Sequence, residues 1–167
     1  NSIGTTRPAQ NFLIYWDGDL EREILDGTTI SKMMSTSQIS TLLSADGCAS
    51  NNSTKSNPCL TADLFGDWRE ELLLRTSDNR AIRVFCTPYT TDKRITTLMH
   101  DPQYRNQVSA EQTSYNQPAH PSFYLGSDAS LPARPNVVVD GTLAAPPKAG
   151  ATLNPAYKYT IKNVNSG

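Results

Sequence analysis

The chain has 167 residues, 15 basic and 16 acidic side chains, a formal charge of -1, 37% hydrophobic residues and 19% charged ones. No Lys/Arg stripe is present to attract nucleic acid or an anionic membrane, and no run of about 18 apolar residues is present to span a bilayer. A charged-then-apolar leader is also missing, so any secretion signal is expected to have been removed already.

Length predicts a single domain, and Ser, Thr and Asn, 46 of 167 residues, favour turns and strands over helix interiors. The first 126 residues carry short β signals. The runs NFLIY (11 to 15), REILD (22 to 26), TTISK (28 to 32), ELLLR (71 to 75) and AIRVFCT (81 to 87) are brief and rich in β-branched or aromatic residues. Asp26-Gly27 and the Ser77-Asp78-Asn79 cluster supply turns between them, so hairpins in series are expected. One helix is predicted after Asp101, an N-cap followed by Pro102 in the first turn. A Pro-rich loop and an apolar strand SFYLG (122 to 126) follow.

Beyond Gly126 the texture changes. Residues 127 to 155 hold five of the eleven prolines and read as a linker with little capacity to bury a core, apart from one strand signal at VVVD. The final residues, 156 to 167, alternate like the first strand of an appended domain. Cys48 and Cys59 flank a polar loop, GCASNNSTKSNPC, that a disulfide would pin in an oxidising compartment; two free thiols are the alternative. Cys86, in a strand-like run, reads as a small core residue.

An internal repeat carries the most information. Tyr15 to Leu25, YWDGDLEREIL, aligns with Asp63 to Leu73, DLFGDWREELL, at an offset of 48, the length of a propeller blade. Both copies have Gly-Asp followed four residues later by Glu and two aliphatic residues. Closely spaced carboxylates around a Gly turn suit a hard divalent cation such as Ca²⁺, which takes several oxygen ligands. The candidate ligands are Asp17, Asp19 and Glu23 in the first copy and Asp63, Asp67 and Glu71 in the second. A solvated acidic turn is the plainer alternative. The pattern resembles the calcium loops of FG-GAP repeats, except that Tyr15 and Phe65 stand where those loops have a carboxylate or amide. Trp16 and Trp68 read as packing residues, Arg69 as an ion-pair partner and His100 as structural, beside the turn at Asp101. No zinc-ligand spacing and no G-x-S-x-G nucleophile motif occurs.

NFLIYWDGDLEREILDGTTISK, SNNSTKSNPCLTADLFGDWREELLLRTSDNRAIRVF, TLMHDPQYR and YNQPAHPSFYLG, in that order over roughly residues 8 to 126, resemble the C-terminal part of polysaccharide lyase family 11, the rhamnogalacturonan lyases. The resemblance implies an all-β fold, the last two to three blades of an eight-bladed, calcium-bearing β-propeller, secreted, in an endolyase that cleaves the rhamnogalacturonan I backbone of pectin by β-elimination. Eight blades of about 48 residues need roughly 380 residues, so the remaining blades must come from elsewhere in a longer protein. The last residues faintly resemble the opening strand of a ricin-type carbohydrate-binding module.

The resemblance also implies site residues at Asn52, Ser53, Thr54 and Tyr115, and position in the sequence adds Lys55 and His120. The family's sugar-contacting Asn-Gly-Thr falls on Asn52, Ser53 and Thr54, with Ser in place of Gly; a positive φ there would strain Ser53. The family's Tyr before Asn-Gln-Pro matches Tyr115, expected to stack on or hydrogen-bond to a sugar. Lys55 directly follows the triplet and is expected to offset the uronate charge or act as base, with a solvated loop lysine as the alternative. His120, near Tyr115, is a further expected sugar contact. A non-catalytic, calcium-stabilised adhesion propeller is the competing reading; the Cys-bounded loop and the YNQPAHPSFYLG ending favour the lyase.

Overall fold

The structure is a computed structural model that describes residues 8–9, 11–111, 113 and 116–135. Its first compact unit ends at Arg134. Tyr115, the VVVD strand signal, the linker beyond 135 and the expected module at 156 to 167 lie outside the described residues.

The fold is mostly β-sheet with few helices. The first sheet is a meander of β1 (Phe12–Ile14), β2 (Glu23–Asp26), β3 (Thr29–Ser35) and β4 (Gln38–Ser44), all antiparallel neighbours. Asp26 pairs with Thr29, and Gly27 takes φ +62° in the two-residue turn between them, a conformation that Gly adopts without a Cβ penalty.

The second sheet centres on β7 (Glu71–Thr76), with β8 (Ile82–Phe85) on one edge. Its other edge takes β5 (Cys48–Ala49) and β6 (Leu60–Ala62) in succession. From Ala49, opposite Arg75, to Leu60, opposite Leu73, the chain advances eleven residues while β7 advances two. β5 and β6 are thus two halves of one interrupted strand, and the polar residues between them are looped out, closed by paired backbone bonds between Asn51 and Asn57 of 2.7 and 3.1 Å.

One core fills the space between the sheets with Phe12, Ile14, Trp16, Leu25, Ile30, Leu72 and Leu74. A second, of Tyr15, Leu20, Trp68, Leu98, Tyr104 and Leu125, joins the repeat loops to the helix α1 (Pro102–Ala110). Asp101 caps α1 as expected, accepting from the Tyr104 amide at 3.2 Å. Both tryptophans are buried, in keeping with packing roles.

Several expectations fail. SFYLG forms no strand; its residues lie in bends and coil, with Leu125 buried in the second core. Cys86 is exposed, because β8 has no further strand on its outer side among the described residues. Cys48 and Cys59 are free thiols. Cys48 stands opposite Thr76, whereas the Cys59 amide donates to the Leu73 carbonyl. That register sets them roughly 7–10 Å apart along the sheet, at or past the limit of about 7 Å between the Cα atoms of a disulfide.

Glu111, just past α1, ties the helix to β6. Its carboxyl accepts from the Thr61 amide (3.1 Å) and hydroxyl (3.3 Å). Burial pushes its pKa up to about 8 from 4.5, against the hydrogen bonds from Thr61 that lower it. The fold therefore favours the neutral acid, so this group's contribution is fully present below about pH 4.5 and is lost as pH rises to about 8. Glu111→Gln keeps an acceptor for Thr61 and cannot ionise. It is expected to flatten the decline in unfolding midpoint between pH 4.5 and 8 and to gain on the order of 1 kcal/mol over the parent at the alkaline end; parallel pH profiles for parent and variant would refute this.

Candidate functional site

The repeat is reproduced in three dimensions. In the first copy Glu23 Oε2 accepts from the amides of Trp16 (2.9 Å) and Asp17 (3.4 Å); in the second, Glu71 Oε2 accepts from Leu64 (2.7 Å) and Phe65 (3.0 Å), each partner displaced by 48. Likewise Asp19 Oδ1 accepts from the Glu21 amide and Asp67 Oδ1 from the Arg69 amide. Gly18 is required by close approach: a Cβ there would lie 2.5 Å from the Thr90 carbonyl oxygen.

The two loops differ in what surrounds their carboxylates. Asp17, Asp19 and Glu23 offer ligand atoms within 4.8 Å of one another, the only such group among the described residues. Lys32 Nζ, from β3, donates to Asp17 and Asp19 and lies 3.3 Å from Glu23 Oε1. Burial and the Asp17 charge push the Glu23 pKa up to about 7. Burial works against the Lys32 charge, but the hydrogen bonds to Asp17 and Asp19 and the charge of Glu23 hold its ammonium well above the usual lysine range. By donor chemistry the trio fits a hard cation, and an ammonium stands at its centre.

The second loop does not assemble the expected trio. Asp63 Oδ2 is committed to the Thr97 hydroxyl (2.8 Å) and the Leu98 amide (2.7 Å), and Asp67 pairs with Arg69 at 2.5 Å. Phe65 occupies the position of Asp17 and is exposed. Asp63, Asp67 and Glu71 therefore serve the turn and its ion pair.

Asn52, Ser53, Thr54 and Lys55 form the exposed tip of the looped-out segment, with a single 3-10 turn over Ser53–Lys55. Asn52, Ser53 and Ser56 have φ of +60°, +50° and +52°, so the strain expected at Ser53 is present. The loop's base is Asn57, 1% exposed, which the sequence did not single out. Its Oδ1 accepts from Asn52 Nδ2 (3.2 Å) and Asn116 Nδ2 (3.1 Å). The tip is thereby connected to the segment adjoining Tyr115. A second tie runs from Asn11 Nδ2 to the Thr54 carbonyl, 3.4 Å.

His120 belongs to different surroundings. It lines an open cavity of about 390 Å³ with Tyr15, Arg22, Phe123 and Tyr124, and its amide donates to Gln107 Oε1 at 2.7 Å. Burial, with the charge of Arg22, holds its imidazole below the usual value, so the ring is neutral at neutral pH. His100 is exposed, in a 3-10 turn before α1.

A left-handed Ser costs about 1–2 kcal/mol, part of which a Gly returns through the entropy of the unfolded chain. Ser53→Gly is therefore expected to raise stability by about 0.5–1 kcal/mol in denaturant unfolding; a loss of stability would show that the Ser53 side chain makes a compensating contact.

Comparison with known proteins places this geometry. A profile described as rhamnogalacturonan lyase family 11, C-terminal domain, matches residues 1–135. The chain is 47% identical over 137 residues to the rhamnogalacturonan endolyase YesW of Bacillus subtilis (strain 168), covering 81% of this chain and 22% of that protein. It is 45% identical over 146 residues to the rhamnogalacturonan exolyase YesX of the same organism, covering 82% and 24%. The crystal structure of YesW superposes with a TM-score of 0.74 at 46% identity, over 78% of this chain and 22% of that one. The chain thus spans under a quarter of the length of these relatives, and by its sequence profile and its fold it belongs to rhamnogalacturonan lyase family 11, as the family's C-terminal domain.

Proposed function

We propose that this chain is the C-terminal part of a secreted lyase that cleaves rhamnogalacturonan I by β-elimination, closing an eight-bladed propeller with the remaining blades of the same protein. Residues 1 to 126 supply the last two to three blades, 127 to 155 a linker, and 156 to 167 the start of a carbohydrate-binding module. One observation carries the reading: Asn52, of the exposed Asn52–Thr54 triplet that is sugar-contacting by family resemblance, and Asn116, next in sequence to the family's Tyr115, are joined through one buried side chain. The apolar residues exposed on β8, Ile82 and Val84, suit coverage by a neighbouring blade.

In the reaction, a base takes the proton at C5 of the galacturonate, that C–H electron pair becomes the C4–C5 double bond, and the C4 oxygen leaves with its bonding pair. The C5 proton is weakly acidic beside a carboxylate, so a positive charge against that carboxylate is needed. Lys55, exposed at the loop tip, is placed to supply that charge or, when deprotonated, to act as the base. Asn52, Ser53, Thr54 and Tyr115 orient the sugars, and His120 offers a separate sugar contact from its own cavity.

Asp17, Asp19 and Glu23 would hold a Ca²⁺ ion in competition with the Lys32 ammonium, which meets the same oxygens. Bound there, the ion supplies charge neutralisation that fastens the loop to its sheet.

The complete enzyme mixed with rhamnogalacturonan I is expected to raise the ultraviolet absorbance of unsaturated uronate; no rise with Ca²⁺ present overturns the lyase reading and leaves the adhesion propeller. Lys55→Ala is expected to lower turnover at least about 100-fold, in the range of a lost general base, and normal turnover removes Lys55 from the mechanism. The proposal takes the endo mode: early products of intermediate length support it, and release of only the smallest products from the start refutes it. Lys32→Met should bind Ca²⁺ at least about tenfold more tightly, the effect of losing a competing charge of order 1.4 kcal/mol; unchanged affinity removes the ion from this loop.

A further inference from the structure

Asn57 has no assigned role, yet both the closure of the looped-out segment and a side chain from its tip bond to it. Its backbone closes the loop by two bonds to Asn51, and its side chain is buried beneath four exposed residues. A carboxamide oxygen has two lone pairs. Here both are used, one by Asn52 from the loop tip and one by Asn116, 59 residues away in sequence and adjacent to Tyr115. Its own Nδ2 is buried and has no hydrogen-bond partner.

We propose that Asn57 is a positioning residue for substrate binding: its Oδ1 sets the spacing between Asn52, at the tip of the sugar-binding loop, and Asn116. The proposal rests on the lyase reading above. The tip carries left-handed backbone at Asn52 and Ser53 and is exposed, so it has little packing of its own to fix its orientation. Two donors converging on one atom hold the two segments at a distance set by two hydrogen bonds, and small errors of placement in such a surface reduce rate and affinity sharply. Loss of the acceptor would remove the one atom on which the two donors converge and release the two segments from each other at this point.

The acceptor is separable from the shape of the side chain. Asn57→Asp retains Oδ1, exchanges the donor that has no partner for a second acceptor oxygen and adds a negative charge that the two amide donors face; Asn57→Leu keeps the volume and removes the acceptor. In the complete enzyme, Asn57→Leu is expected to lower kcat/KM for rhamnogalacturonan at least about tenfold, mainly through a higher KM, at temperatures well below its unfolding midpoint. Asn57→Asp is expected to recover most of that loss. A role confined to stability would move the unfolding midpoint and leave KM alone. Wild-type kcat/KM in folded Asn57→Leu, or an equal loss in folded Asn57→Asp, overturns the proposal. Should the Asn57 variants fail to fold, Asn116→Ala cuts only one of the two bonds: a raised KM with an unchanged unfolding midpoint supports the proposal, and an unchanged KM overturns it. If the wild-type enzyme forms no unsaturated uronate, the lyase reading has failed separately, and calorimetric binding of rhamnogalacturonan oligosaccharides decides the matter for Asn57. Weaker binding by Asn57→Leu or Asn116→Ala than by wild type supports the tether, and equal binding overturns it.

Discussion

The two sheets and the helix meet at one buried carboxylate. Glu70 has no exposed surface; its Oε2 accepts from the Tyr15 amide (2.8 Å), its Oε1 from the Tyr104 hydroxyl (2.6 Å), and Arg22 lies 3.5 Å away. Its own amide donates to the Tyr15 carbonyl, so the two repeat loops are joined backbone to backbone as well. Burial raises the Glu70 pKa, and the Arg22 charge and the hydrogen bonds from Tyr104 and Tyr15 oppose it. A buried charge is tolerable only when it is paired and hydrogen-bonded. Arg22 in turn stacks 4.2 Å over the Tyr15 ring, so the cation is itself fixed by the loop it neutralises. Arg22 and Glu70 occupy equivalent positions of the repeat, 48 residues apart. Successive copies thus present opposite charges at the same place, and the seam between them is held by that difference.

From the same seam the structure extends to the candidate site. Tyr104 accepts from the Asp63 amide, Asp63 holds the Thr97 hydroxyl, and β6, which ends beside Asp63, is the second half of the strand from which the polar loop departs. The loop tip is therefore far from any core cluster in bonding terms but only a few residues from rigid sheet on both sides. Such an arrangement gives an exposed, strained tip on a fixed base, the usual way a β-scaffold presents binding residues.

What could be read in the sequence was local. The Asp101-Pro102 helix start depends on one side chain and its next three residues, and it formed as written. The repeat also depends on short spacing, and its Glu-to-amide bonds recur at the same offset. The elements that escaped depend on distant partners. β5 and β6 are too short to signal separately and exist because β7 offers them an edge, while β4, QISTLLS, is mostly polar and depends on pairing with β3. SFYLG has strand composition but buries Leu125 in the second core without joining a sheet. Asn57 drew no attention because an Asn in a polar loop has no distinguishing neighbour in sequence; its importance lies in Asn116, 59 residues away.

The repeat loops also separate two things that the acidic pattern had merged. In both copies the Glu has one constant task, to accept from two amides of the turn with Oε2, and that task needs no ion. Only the first copy adds Asp17, and only there do three carboxylates converge and require a cation, which Lys32 contributes. In the second copy Phe65 replaces that aspartate, and Arg69 alone balances Asp67. Gly-Asp followed by Glu therefore specifies a turn geometry, and the residue two before the Asp decides whether the turn gathers enough charge to call for a cation. A loop neutralised by Lys32 from β3 and a loop balanced by its own Arg69 share one backbone, so acidic spacing alone counts turns and not ions.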